Sequence, residues 1–209
     1  MIMNPKWAEE NLQTIRTLME RSAIYRRALA PIMIFVGAMG IGGGLAGWQL
    51  HIESGRGFLM LWIGVACISL VGALLLVRRQ ALKDSEPFWS APTRRVAQAL
   101  MPAFFIGLTI AVLALIGSNF DNIPDGWVNL VVAWALLYGC AIHAAGFFMP
   151  RGVRWLGWIF IVISLVTFVS LSEPKCPISP HFLMAAIFGG LHLAYGIYLY
   201  FTEKKSPDA

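Results

Sequence analysis

Residues 31–50 read PIMIFVGAMGIGGGLAGWQL, twenty residues without an Asp, Glu, Lys or Arg, and they follow closely on Arg26 and Arg27. A run of about 20 apolar residues is what an α-helix needs to cross a hydrocarbon core of roughly 30 Å. A segment inside lipid must satisfy its own backbone hydrogen bonds, so a lone apolar run of this length is read as a helix. Working outward, five further windows have the same character: Phe58 to Val77, Val96 to Ile116, Trp127 to Met149, Trp155 to Leu171 and Phe182 to Phe201. Gln98 and Pro102 interrupt the third window, and the fifth is short. The fold expected is all-α, an integral membrane bundle of six transmembrane helices.

Charge orients the six spans. Of sixteen Lys and Arg residues, fourteen fall in segments that alternate spans place on one side, and only Arg56 and Lys175 fall on the other. Short loops rich in Lys and Arg are retained in the cytoplasm. Lys6, Arg16, Arg21, Arg26 and Arg27 precede the first span, and Arg78, Arg79, Lys83, Arg94 and Arg95 lie between the second and third. Arg151 and Arg154 follow the fourth span, and Lys204 and Lys205 follow the sixth. Both termini are therefore expected in the cytoplasm. Trp48, Trp62 and Trp127 near the outer ends, and Trp89, Trp155 and Trp158 near the inner ones, form the aromatic belts that membrane interfaces favour.

With 58% hydrophobic and 13% charged residues and a mean hydropathy of +0.69, the chain is far more apolar than a soluble domain. Its pI near 9.4 does not point to nucleic acid, because the basic residues adjoin apolar runs instead of forming a separate patch with interleaved aromatics. The anionic inner leaflet is the natural counter-charge. The mostly polar residues ahead of the first run lack the form of a cleavable signal peptide, so the first helix is expected to remain as an anchor.

Ahead of that run, Glu9 to Ala30 has no Pro or Gly and places Leu12, Ile15 and Met19 at helical spacing, accompanied by arginines. This predicts a cytoplasmic amphipathic helix within residues 1–30, lying at the inner surface. Residues 31–201 then form the six-helix domain and 202–209 a short cytoplasmic tail. The inner connection EPFWSAPTRR, Glu86 to Arg95, adds aromatic and basic groups to the same face, with Ser90 or Thr93 as the cap of the third helix.

Gly40/Gly44 and Gly43/Gly47 in the first span have the small-xxx-small spacing through which membrane helices touch. The stripe Ala186, Gly190 and Ala194 in the sixth makes that helix its expected partner. The same glycines offer a homodimer interface as the alternative. No strand precedes them and no GK[ST] follows, so they are not a phosphate-binding loop.

No Asp, Glu, Lys or Arg lies within a span, which argues against an ion pump built on buried carboxylates. His143 and His192 are the ionisable groups within. Counted at 1.5 Å per residue, His192 lies roughly 18 Å and His143 roughly 24 Å below the outer ends of their helices. Bis-histidine haem ligation or proton relay is one reading; a neutral imidazole bonded to a carbonyl, Tyr138 or Tyr195 is the plainer one. The fourth and sixth spans share a pattern, Gly139, His143 and Gly146 against Gly189, His192 and Gly196, of the kind an internal duplication leaves. Cys67, Cys140 and Cys176 have no metal-ligand spacing, and Cys176 alone falls in an outer loop. Asp121 and Asp125, in the Gly117 to Gly126 turn, read as solvated turn carboxylates and not as a metal site.

The run ENLQTIRTLMERSAIYRRALAP, the inner-loop stretch SAPTRRVAQALMPAFFIG and the C-terminal FGGLHLAYGIYL together resemble a family of bacterial multi-pass inner-membrane proteins of about this length, one without an established activity. The resemblance implies a bacterial inner-membrane location and brings no catalytic residues. No nucleophile, base and carboxylate form a recognisable arrangement either, so no enzyme and no cofactor are expected. The function expected is that of a non-enzymatic scaffold, sensor or regulatory component whose basic inner face engages membrane lipid or a cytoplasmic protein. A small-molecule transporter that dimerises through the glycine-rich helix, and a haem-dependent redox protein, are the alternatives.

Overall fold

A computed structural model describes residues 28–85, 87–117, 126–170 and 178–203. The amphipathic helix expected within residues 1–30 falls almost wholly outside them, as do most of the 202–209 tail, Asp121, Asp125 and Cys176. Among the described residues every regular element is a helix. They are α1 (Ala28–Gln49), α2 (Gly55–Lys83), α3 (Ala91–Ile116), α4 (Gly126–Ala145), α5 (Arg151–Ser170) and α6 (180–203). All six are long and apolar enough to cross a membrane, which makes the chain a multi-pass membrane protein. At 1.5 Å per residue α2 is about 43 Å long, so it outreaches the hydrocarbon core and carries Arg78, Arg79 and Lys83 beyond it. α3 continues unbroken through Gln98 and Pro102. Ser90 is its N-cap, accepting a hydrogen bond from the Thr93 amide at 3.5 Å.

Burial separates a core from a periphery. About half of the α4 span (50%) and 44% of the α1 span are buried, against 6% for α2 and for α3. Leu75, Phe105, Leu113 and Ile116 stand out from the latter two helices at 58% to 75% exposure. Soluble monomers do not present continuous apolar faces of this kind; lipid chains solvate them here.

Two close-packed seams hold the core. In the first, a Cβ at Gly40 would stand 2.7 Å from Gly189 Cα, one at Gly37 would stand 2.5 Å from the Leu193 amide nitrogen, and one at Gly44 would stand 2.5 Å from Ala185 Cβ. Gly47 lies directly against the His181 ring, and Gly196 against Ile34 and Met33. α1 and α6 therefore meet backbone to backbone. Gly43 points elsewhere, to Val65 and Trp62 of α2, and Gly42 meets nothing. In the second seam a Cβ at Gly139 would be 3.0 Å from the Gly157 carbonyl oxygen, and one at Gly157 would be 2.6 Å from the His143 amide nitrogen. The glycine–histidine patterns of the fourth and sixth spans thus each place a glycine at a close helix contact.

One detail differs from the sequence reading. The α6 stripe Ala186, Gly190 and Ala194 does not face α1: Ala186 and Ala194 are exposed, and a Cβ at Gly190 would meet only its own helix's Ala185 carbonyl, at 3.9 Å. The seam runs through Ala185, Gly189, Leu193 and Gly196. The cause lies in the sequence AAIFGG, which doubles each small residue and so writes two parallel stripes that spacing alone cannot rank. The same six residues, Ala185–Gly190, form a π-helical segment between the α-helical stretches Pro180–Met184 and Leu191–Glu203.

The ends of the bundle are fixed by contacts. Arg95 of α3 lies over Phe148 of the α4–α5 turn, and Gly152 of α5 abuts Tyr195 of α6, so these basic termini share one end. At the other, Phe58 of α2 packs edge-on to Trp127 of α4 with ring centroids 5.3 Å apart.

Gly40→Ile is expected to lower detergent-solubilised stability by about 3 kcal/mol, because the added branch meets backbone and not a movable side chain. Gly42→Ile, on the open side, is expected to leave the melting midpoint within about 1 °C, the surface substitution being nearly neutral. Thermal melts of the two variants check both.

Candidate functional site

Histidines mark two clusters, one in the interior of the bundle and one at the end opposite the basic termini. His192 is 1% exposed, on the α6 face turned to α4 and α5. Its Nδ1 lies 2.6 Å from the Phe188 carbonyl and its Nε2 lies 2.6 Å from the Tyr138 hydroxyl. A carbonyl only accepts, so Nδ1 carries the proton and donates, and Nε2 accepts from Tyr138. Both ring nitrogens of the imidazole are thereby engaged. Around it stand Phe160, with centroids 5.4 Å away, and Tyr138 at 5.3 Å, while Phe188 packs on both Tyr138 and Phe160. Phe104 of α3 stacks on the far side of this group against Tyr138. The remaining polar groups nearby are also turned inward: Ser164 donates to the Phe160 carbonyl at 2.7 Å, and the Trp134 indole donates to the Gly107 carbonyl at 3.1 Å.

His143 occupies a different place. Its Nδ1 is 3.4 Å from the Arg154 carbonyl, and its ring packs edge-on against Phe147 and Trp158. It sits on the α4–α5 seam near the basic end, whereas His192 belongs to the α4–α6 contact, and the two rings share no hydrogen bond or ring contact. An axial ligand must offer a free imidazole nitrogen. At His192 that requires loss of the Tyr138 bond.

The second cluster centres on His181, which the sequence reading passed over because it falls just outside the sixth apolar window. It is 5% exposed. Its Nε2 donates to the Ile52 carbonyl at 2.9 Å, and its Nδ1 accepts from the Trp62 indole at 3.3 Å. Phe58 packs on it with centroids 5.1 Å apart. One side chain thus ties the α1–α2 turn, where His51 takes a left-handed conformation with φ of 50°, to α2 and to the start of α6. The available signal was positional: His181, Ala185 and Gly189 recur every four residues on the face that meets α1.

Cys67 and Cys140 are exposed on the helix surface as free thiols. Among the described residues no three of His, Cys, Asp and Glu converge on a point. Compared with family models, with curated proteins and with solved structures, the chain matches none.

In a double-mutant cycle, Tyr138→Phe and His192→Leu are expected each to destabilise the protein, the first by stranding Nε2 and the second by stranding the hydroxyl. The double variant is expected to be less destabilised than the sum, by about 0.5–1.7 kcal/mol, the range for interhelical hydrogen bonds in membranes. Unfolding in denaturing detergent measures the coupling; an additive cycle would show the bond to be energetically silent.

Proposed function

We propose that the protein is a non-enzymatic scaffold, sensor or regulatory component of a bacterial inner membrane, with both termini in the cytoplasm and its basic end as the surface of engagement. The observation that carries this reading is the inward engagement of the buried polar groups. His192, Tyr138, His181, Trp62 and Trp134 are each bonded to a group on another helix or turn and so fix helix positions, while Ser164 returns its hydroxyl to the Phe160 carbonyl of its own helix. What the molecule offers outward is therefore lipid-facing apolar surface and one strongly basic end.

That end supports the orientation. Arg78, Arg79, Lys83, Arg94, Arg95, Arg151 and Arg154 are all carried by helix termini there, against Arg56 alone at the other end of the described residues. Retention of such segments in the cytoplasm follows from the positive-inside rule.

Two measurements test the proposal. A C-terminal alkaline phosphatase fusion is expected to be inactive and a C-terminal fluorescent fusion bright; the reverse would overturn the orientation. Affinity purification of the full chain from native membranes is expected to bring down a cytoplasmic or membrane protein that is lost when Arg78, Arg79 and Lys83 are changed to Gln. Substrate-specific uptake into proteoliposomes of the purified chain, with no such partner, would replace the scaffold reading with a transporter.

A further inference from the structure

We propose that the basic end carries a binding site for the headgroup of an anionic phospholipid, at the corner where α3, the α4–α5 turn and α5 meet. This deepens the reading of that end as the cytoplasmic face and rests on it.

The turn reads GFFMP, residues 146–150, and leaves Phe147 63% and Phe148 44% exposed. Each ring is covered by an arginine from a different helix. The Arg154 guanidinium carbon lies 5.2 Å from the Phe147 centroid, and that of Arg95 lies 6.0 Å from the Phe148 centroid. Two cations on different helices are thus held over adjacent rings of one turn.

A guanidinium over a ring uses its flat face and leaves its N–H edge available, and that edge matches phosphate oxygens in a two-point geometry. Arg151, exposed one turn before Arg154 on α5, adds a third cation at the same corner. The position of Arg154 is set by its backbone: a Cβ at Gly146 would stand 2.8 Å from the Arg154 amide nitrogen and 2.5 Å from its Cγ. Its carbonyl is bonded by His143. The cation is therefore presented from a fixed stem and not from a free surface chain.

The surroundings select lipid over a soluble anion. Trp155 (70% exposed) and Trp158 (49% exposed) follow on the same helix, where amphipathic rings sit at the boundary between headgroups and hydrocarbon. Acyl chains can run down these rings while the phosphate meets the arginines. Anionic lipids are concentrated in the leaflet that this end faces, and each Lys or Arg near that surface strengthens the attraction.

The test is native mass spectrometry of the full chain, purified in mild detergent and supplied with phosphatidylglycerol or phosphatidylcholine. Phosphatidylglycerol is expected to be retained preferentially, and Arg95→Gln with Arg154→Gln to weaken that retention by about tenfold or more. Arg78→Gln with Arg79→Gln removes the same charge from the α2 terminus and is expected to weaken it less than about threefold. Phe147→Leu, which keeps the apolar bulk and removes the π face, is expected to weaken it by about threefold. Equal losses for the two arginine pairs would show diffuse attraction and overturn the site. So would equal retention of the two lipids, or displacement of phosphatidylglycerol by inorganic phosphate or by an acidic peptide at matched concentration. Failure here leaves the protein-partner and topology measurements standing, because those read neither lipid retention nor the α4–α5 turn.

Discussion

Helices inside a bilayer gain little by hiding apolar surface from lipid, since lipid tails are as apolar as leucine, so association depends on how closely their backbones approach. The glycines of α1 and of the α4–α5 pair meet that constraint. At Gly40 and Gly189 there is no room for even a methyl group, which converts two helix surfaces into a continuous run of van der Waals contact. The peripheral helices α2 and α3 each pack on this core by one side, α2 on α1 at Gly43 and Gly72 and α3 on α4, and turn the rest of their surface to lipid. The architecture is thus a tight core of α1, α4, α5 and α6 with two long helices laid on its flank.

Hydrogen bonds then specify what close approach alone leaves free. A glycine seam permits sliding, because one small residue resembles the next. The Tyr138–His192 bond between α4 and α6 and the His181 bonds to Trp62 and Ile52 each have a single satisfied register. Their net energies are modest, about 0.6 kcal/mol on average for such bonds in a membrane. Misalignment costs more, since it leaves donors and acceptors without partners where water cannot replace them. The buried polar residues therefore determine alignment while the glycines determine distance.

Much of this was legible in the chain because its causes are local. Six apolar windows and the placement of Arg78, Arg94 and Arg151 at helix ends need only counting along the sequence. The partner face of α6 was not legible in the same way. AAIFGG offers Ala185/Gly189 and Ala186/Gly190 with equal spacing, and the decision belongs to Gly40, Ile41 and Gly44 across the contact. His181 escaped because hydropathy windows discount a polar residue at a span's edge, although its imidazole is as well enclosed as many aliphatic side chains. His192 was visible as an ionisable group at depth, and the plainer reading of its bonding, to a carbonyl and to Tyr138, is what the structure shows.

The π segment has a geometric consequence. His192 lies eleven positions after His181, and an unbroken α-helix makes just over three turns across eleven positions, which would stack both imidazoles close to one line facing one neighbour. A π turn closes its hydrogen bond one residue later than an α turn, so the segment Ala185–Gly190 delays the rotation between the two. His181 addresses α1 and α2 while His192 addresses α4 and α5. α6 is in effect a crankshaft, its two throws set at different angles by the winding of six small and apolar residues between them.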